Sequence, residues 1–386
     1  MENDFKPLAL YIHIPFCIKK CLYCDFLSGQ ASEMEKKAYV RKLIEELAFW
    51  KERIAGTHRI QTIFIGGGTP TCLSAPLLQR LGEEILSFPL AENPEYSIEA
   101  NPGTVSKEIL SALKDMQANR ISLGLQSAEN GELLALGRIH TYEDFVRSYA
   151  LLKDAGFANI NIDLMADIPG QTLASYQRTL EKVCALEPEH ISSYSLIVEE
   201  GTPFYRMQEE GVLELPDEET DRQMYERTEH FLKKNGYYRY EISNYAKKGW
   251  ECRHNLTYWE MGEYLGVGLG ASSYFSGERF RNETDLKTYL SVPVRKLAVE
   301  KNILSKKAEM EEFVFLGLRM MKGISAAEFK KRFAEDFHLL YGRILKRLFH
   351  QGLLAESGNR DRIYLTKKGI DVSNMVLAEF LLEDES

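Results

Sequence analysis

Between residues 8 and 200 the chain repeats one phrase: a short β-branched or apolar run, a turn, then an amphipathic stretch of helical period. The runs predict strands at 8–16, 62–65, 96–100, 120–125, 159–165 and 190–198, with helices at 33–53, 76–86, 107–116, 142–155 and 172–186 between them. Strands separated by whole helices cannot pair as hairpins, so they pair in parallel through right-handed crossovers. The fold class is therefore α/β. Six units, two short of a closed barrel, predict an open, partial (β/α)6 barrel, although a doubly wound sheet fits the same pattern. In a barrel the chemistry gathers at the carboxyl ends of the strands.

Those ends carry the residues that stand out. The first strand runs into Cys17, Cys21 and Cys24, spaced C-x3-C-x2-C. Three thiolates on one loop can hold three irons of a four-iron, four-sulfur cube and leave the fourth open to an outside ligand. A structural zinc site wants a fourth Cys or His nearby, and the nearest is His13, inside the strand. Zinc and plain free thiols stay as alternatives. The second strand ends in Gly66-Gly67-Gly68-Thr69, where missing side chains let backbone approach a ligand or simply make a tight turn. Glu99 and Asp163 lie in apolar strand surroundings, where an unpaired carboxylate is costly, so each calls for a polar partner.

Composition narrows the function classes. No run approaches the roughly 18 to 20 apolar residues of a membrane span, and the N-terminal residues lack the basic and apolar regions of a signal peptide. Cys72, Cys184 and Cys252 are scattered and suggest no disulfide framework. The expectation is a cytoplasmic protein. A net charge of -9 argues against a nucleic-acid partner.

After residue 200 the rhythm stops. Segment 1–200 reads as the barrel. Segment 201–305 reads as an extension or cover of its mouth, with a charged helix at 216–235, an aromatic strand at 237–246, then His254-Asn-Leu-Thr-Tyr258-Trp259 and a glycine-rich run at 262–270. Segment 306–386 reads as two amphipathic helices and a hairpin at 352–366, the outline of a winged-helix-like α+β domain.

The cysteine spacing resembles that of the radical S-adenosylmethionine (SAM) superfamily. The surrounding words, Tyr11-Ile-His-Ile-Pro-Phe-Cys17 and Cys21-Leu-Tyr-Cys24-Asp-Phe26, are similar to the HemN/HemW branch, which contains oxygen-independent coproporphyrinogen III oxidases and haem chaperones. The resemblance favours the barrel and implies a [4Fe-4S] cluster on Cys17, Cys21 and Cys24. It implies SAM contacts at Tyr11, Tyr23, Gly67, Gly68, Thr69, Glu99, Gln126, Arg138 and Asp163. Packing for the two tyrosines, and a salt bridge from Arg138 to one of the acids, are the plainer alternatives. His254, Tyr258 and Trp259 match the H-N-x-x-Y-W motif associated with haem binding in the branch, and imidazole is a common axial ligand of haem iron. Cys252 is a weaker candidate.

Two departures from the oxidases favour a chaperone. Phe26 stands where they carry a further cysteine, and only sixteen residues precede Cys17, which leaves no room for their N-terminal extension. The resemblance thus implies a haem chaperone with haem as cargo, delivering to haem-requiring respiratory proteins that are membrane-bound and could hold it at the membrane periphery. A homodimer stays open. The alternatives are coproporphyrinogen III decarboxylation and a scaffold that binds cluster and SAM without turnover.

Overall fold

The computed structural model describes residues 5–382. The expected alternation is present: β1 Lys6–Ile14, α1 Glu33–Ile54, β2 His58–Gly67, α2 Ala75–Leu86, β3 Leu90–Ala100, α3 Lys107–Asp115, β4 Arg120–Gln126, α4 Asn130–Ala135, α5 Tyr142–Asp154, β5 Asn159–Ala166, α6 Leu173–Cys184 and β6 His190–Ser195. These strands pair in parallel in sequence order. Every residue of β4 is buried, as a strand covered on both faces must be. Helices start where a side chain can take an orphan amide: Ser32, Ser106, Thr141 and Thr172 each accept a backbone N–H of the first turn. Helix α4 was not expected; six residues are too few to display a period.

A barrel and a doubly wound sheet differ in what the strands' second face meets. Here Tyr11, Phe64, Glu99, Ser122, Asp163 and Tyr194, one from each of β1 to β6, wall a single chamber of about 220 Å³. Six strands can face one small space only if the sheet curls around it. The open side is occupied by residues of the later segment.

That segment contributes α7 Pro203–Glu209, α8 Glu218–Lys234, β7 Tyr238–Arg239, β8 Asn244–Ala246, α9 Arg253–Trp259, β9 Tyr264–Val267, β10 Ser272–Phe275, β11 Glu278–Asn282, α10 Leu286–Ser291 and β12 Ala298–Ile303. Its strands join the same sheet at both ends, in the order β12-β11-β10-β9-β1-β2-β3-β4-β5-β6-β8-β7. The aromatic run 237–246 is two short strands rather than one, because the Glu241 carboxylate accepts the Ser243 N–H at 3.3 Å and turns the chain. The glycine-rich run holds β9, which pairs parallel to β1. Glu46 of α1, buried, locks this flank: it accepts from Tyr289 Oη and Asn282 Nδ2 at 2.6 Å each and from the Gly268 N–H at 3.1 Å. Burial pushes its carboxyl up to about 7.

The last part has its own apolar centre around Phe313, Phe329, Phe337, Tyr341 and Leu348. Four helices, Lys306–Gly317, Ala326–Phe333, Phe337–Leu340 and Gly342–His350, precede its hairpin, where two were expected, and two short ones, Lys367–Asp371 and Ser373–Ala378, follow it. The hairpin Leu354–Glu356 and Arg362–Leu365 gains a third antiparallel strand, Ile324–Ser325. Among the described residues no helix is long and apolar enough to cross a membrane.

Candidate functional site

A cleft of about 470 Å³ opens at the carboxyl ends of the barrel strands. The loop after β1 forms one wall. It is fastened at its base by the Cys17 N–H to the Gly29 carbonyl at 2.9 Å and across to the end of α4 by the Leu22 N–H to the Leu136 carbonyl at 3.0 Å. Cys17, Cys21 and Cys24 are half-buried and line the cleft. Among the described residues, no three His, Cys, Asp or Glu side chains close around an ion-sized point.

Two donors are aimed at sulfur. Thr69 Oγ1 donates to Cys17 Sγ and Arg138 Nη1 to Cys21 Sγ, each at 3.5 Å. Asn101, at the end of β3, holds both donors: its Nδ2 donates to Thr69 Oγ1 and its Oδ1 accepts from Arg138 Nη2, each at 2.7 Å. Both sulfurs thus already sit against a hydrogen-bond donor on the cleft wall. Sequence reasoning did not single out Asn101; its place two residues after Glu99 at a strand end was the available signal. Cys72 does not line the cleft and donates to the Phe16 carbonyl at 3.4 Å, while Cys252 is buried against Glu95.

The glycine run is required for an internal reason. Gly67 has φ +103°, and a Cβ there would lie 2.3 Å from the His13 ring; at Gly68 it would lie 2.6 Å from the Phe16 carbonyl. These glycines let β2 pack against the end of β1 and its loop, and both still line the cleft. Thr69 instead acts from behind the cysteine loop.

Glu99, Gln126, Arg138 and Asp163 come together on the opposite wall and floor. The acids are already partnered. Glu99 accepts the Gly67 N–H at 3.0 Å, and Asp163 accepts from Ser122 Oγ at 2.9 Å and Asn161 Nδ2 at 2.7 Å. Arg138 is bonded to no carboxylate; its other partner is the Gly124 carbonyl at 2.7 Å. Burial pushes Glu99 up to about 8, and the Asp163 carboxylate adds to the shift. Gln126 sits at φ +68°, a left-handed conformation that is costly for a residue with a side chain. Its Oε1 is buried with no partner, as is Arg138 Nε.

A raised carboxyl pKa means the folded chain holds a proton that the unfolded chain has released. Stability from this source is present below about pH 4.5 and is lost as pH rises toward 8. Glu99→Gln is therefore expected to melt close to wild type at pH 5 and a few degrees higher at pH 8.5. Parallel thermal melts at the two pH values check it.

Tyr23 lines the cleft and packs with Leu136, Leu196 and Phe204. Tyr11 faces the inner chamber, and its hydroxyl bonds His13 Nδ1 at 3.0 Å while His13 Nε2 donates to the Leu27 carbonyl at 2.9 Å. His254 lies in the same chamber, 1% exposed, with both ring nitrogens engaged: Nδ1 with Thr62 Oγ1 at 2.9 Å and Nε2 with Tyr258 Oη at 2.8 Å. Burial, with the Arg120 charge adding, pushes it down to about 3. Trp259 stands apart, its ring under the Arg319 guanidinium at 4.6 Å and its Nε1 buried without a partner. The three motif residues thus do not converge on one flat opening.

The Radical SAM superfamily profile matches residues 11–183, and that of the HemN C-terminal domain matches 304–372. The chain is 41% identical to the heme chaperone HemW of Lactococcus lactis over 98% of both chains. It is 38% identical to the heme chaperone HemW of Bacillus subtilis, covering 97% of this chain and 99% of that one. Among solved structures, the coproporphyrinogen III oxidase HemN of Escherichia coli superposes with a TM-score of 0.85 over 98% of this chain and 90% of that one, at 22% identity. That likeness bears on the fold: an α/β radical SAM barrel with an added C-terminal domain.

Proposed function

We infer, from the premise that this chain belongs to the HemW family of radical SAM proteins, that it is a haem chaperone carrying a [4Fe-4S] cluster and SAM in the barrel cleft. One observation carries the chemistry. Three thiols, two of them with hydrogen-bond donors directed at sulfur, share a cleft with a strained glutamine whose amide oxygen has no partner. A lone structural ion has no use for that second wall.

In this reading Cys17, Cys21 and Cys24 hold three irons, and Thr69 and Arg138 donate hydrogen bonds to two of the ligating sulfurs. Together the cluster and SAM, when bound, supply one-electron cleavage of a sulfonium to a carbon radical. Gln126 Oε1 takes a donor from the nucleoside, and Glu99 and Asp163 take hydroxyl or ammonium hydrogens at the floor. The unpaired Arg138 Nε suits an acceptor such as the methionyl carboxylate. Tyr11 and His13 act through each other on the Leu27 carbonyl and so fix the loop that bears the cysteines.

The haem cargo rests on the relatives' names, and delivery to membrane-bound respiratory proteins by a cytoplasmic carrier is part of the same proposal. His254 can reach haem iron only by giving up its bond to Thr62 or to Tyr258, since each ring nitrogen is engaged. The test is an anaerobically reconstituted protein, titrated with haem by absorbance and assayed with coproporphyrinogen III, reductant and SAM. Haem binding near one per chain without decarboxylation is expected. Steady formation of protoporphyrinogen IX with no haem affinity overturns the reading in favour of an oxidase.

A further inference from the structure

The cleft has two chemically different storeys. Its floor is polar, formed by Glu99, Gln126, Arg138 and Asp163. Its rim carries apolar surface open to water among charged residues: Phe26 is 58% exposed and Ile197 67%, and Tyr194, 41% exposed, joins them from the wall it shares with the inner chamber; all three line this one cleft. Large apolar side chains scattered singly over a surface need no explanation, but several around one opening mark a binding surface. A nucleoside and an amino acid satisfy the floor. They leave the rim uncovered.

The rim comes from two separate walls. Phe26 belongs to the cysteine loop, where the Lys20 ammonium donates to its carbonyl at 2.8 Å and fixes the turn that projects the ring. Tyr194 and Ile197 belong to the end of β6 and the segment after it. A ligand touching both walls must span the opening and present apolar surface on its faces. Lys19 lies on the same rim, exposed and, among the described residues, with no hydrogen bond or ion pair. Asp25 and Glu199 also border it, so an anionic group is favoured only at the lysine side.

We propose that haem docks across this rim, its flat face on Phe26, Tyr194 and Ile197 and a propionate at Lys19, above the SAM floor and away from the buried His254. The inference rests on the chaperone reading and names where that cargo sits. A wide aromatic disc with carboxylates on one edge suits an apolar rim with a free ammonium at one side, and a flat apolar ligand over aromatic side chains gains both area burial and stacking.

The experiment titrates haem into the reconstituted full chain and its variants, with iron content and SAM affinity read in parallel. Phe26→Ser combined with Ile197→Ser is expected to weaken haem binding at least ten-fold while iron and SAM affinity stay at wild-type values. Should the loop change disturb the cluster, Ile197→Glu decides alone, since it lies on the other wall. Lys19→Glu should weaken haem several-fold but leave the binding of haem dimethyl ester, which lacks the propionate charges, unchanged. Haem affinity within two-fold of wild type in both apolar variants overturns the rim site and leaves the chaperone reading standing. Failure of the wild-type protein to bind haem at all removes both.

Discussion

Alanine at any one of Cys17, Cys21 or Cys24 is expected to reduce iron in the reconstituted protein from about four per chain to near zero. Two thiolates cannot hold three irons at fixed corners of a cube, and neither Cys72 nor Cys252 can replace the lost ligand. Cys72 is turned toward the Phe16 carbonyl and burial pushes its thiol up to about 11; Cys252 is fully buried against Glu95. Cys72→Ala is accordingly expected to keep the full iron complement. Gln126→Ala should keep it too, yet weaken SAM about ten-fold by calorimetry, because its side chain faces the cleft and touches no thiol. Equal iron loss in Cys72→Ala and Cys17→Ala would falsify the ligand assignment.

His254→Ala is expected to cost about 3 to 4 kcal/mol of folding stability, with little direct effect on haem affinity. The change leaves Thr62 Oγ1 and Tyr258 Oη without their partner in the chamber, and each buried orphan costs about 1–3 kcal/mol before the emptied volume is counted. Against a total of roughly 5–15 kcal/mol, that is a large fraction. The loss also depends on pH. The folded chain keeps His254 neutral to about pH 3, whereas the unfolded chain takes up a proton below about 6.5. The stability contributed by the neutral ring is therefore present above pH 6.5 and falls as pH drops, and the wild-type advantage should shrink between pH 7 and pH 5. Urea unfolding at the two pH values measures this. Haem titration under conditions where both proteins are folded separates stability from ligation: a haem spectrum altered by the substitution would return His254 to the role of ligand.

What could be read in advance follows from how local each signal is. The β4 residues Arg120 to Gln126 announce a buried parallel strand within seven positions, and the cysteine loop announces itself within eight. The polar network was less visible because its links are long in sequence: Asn101 joins Thr69 to Arg138, and Asn161 joins Ser122, Asp163 and His190 across three strands. The part played by His254 depends on Thr62, almost two hundred positions earlier. Its other partner was within reach, since Tyr258 lies four residues on and a helix puts i and i+4 on one face. The glycine run illustrates the reverse case, a motif visible in the sequence whose need for glycine comes from His13 and the Phe16 carbonyl.

The pairing of β9 with β1 has a consequence for how the chain is made. As the ribosome releases β1, its β2 neighbour follows within tens of residues, but the strand that covers its other side emerges about 250 residues later. At about 5–20 residues per second, that interval lasts on the order of 10 to 50 seconds. Throughout it, an apolar strand holds a bare row of backbone donors and acceptors toward solvent, the surface that recruits foreign strands. A nascent chain of this design depends on being shielded during its own synthesis, and slowing elongation between residues 200 and 264 should lower soluble yield even though no residue of the mature protein is altered.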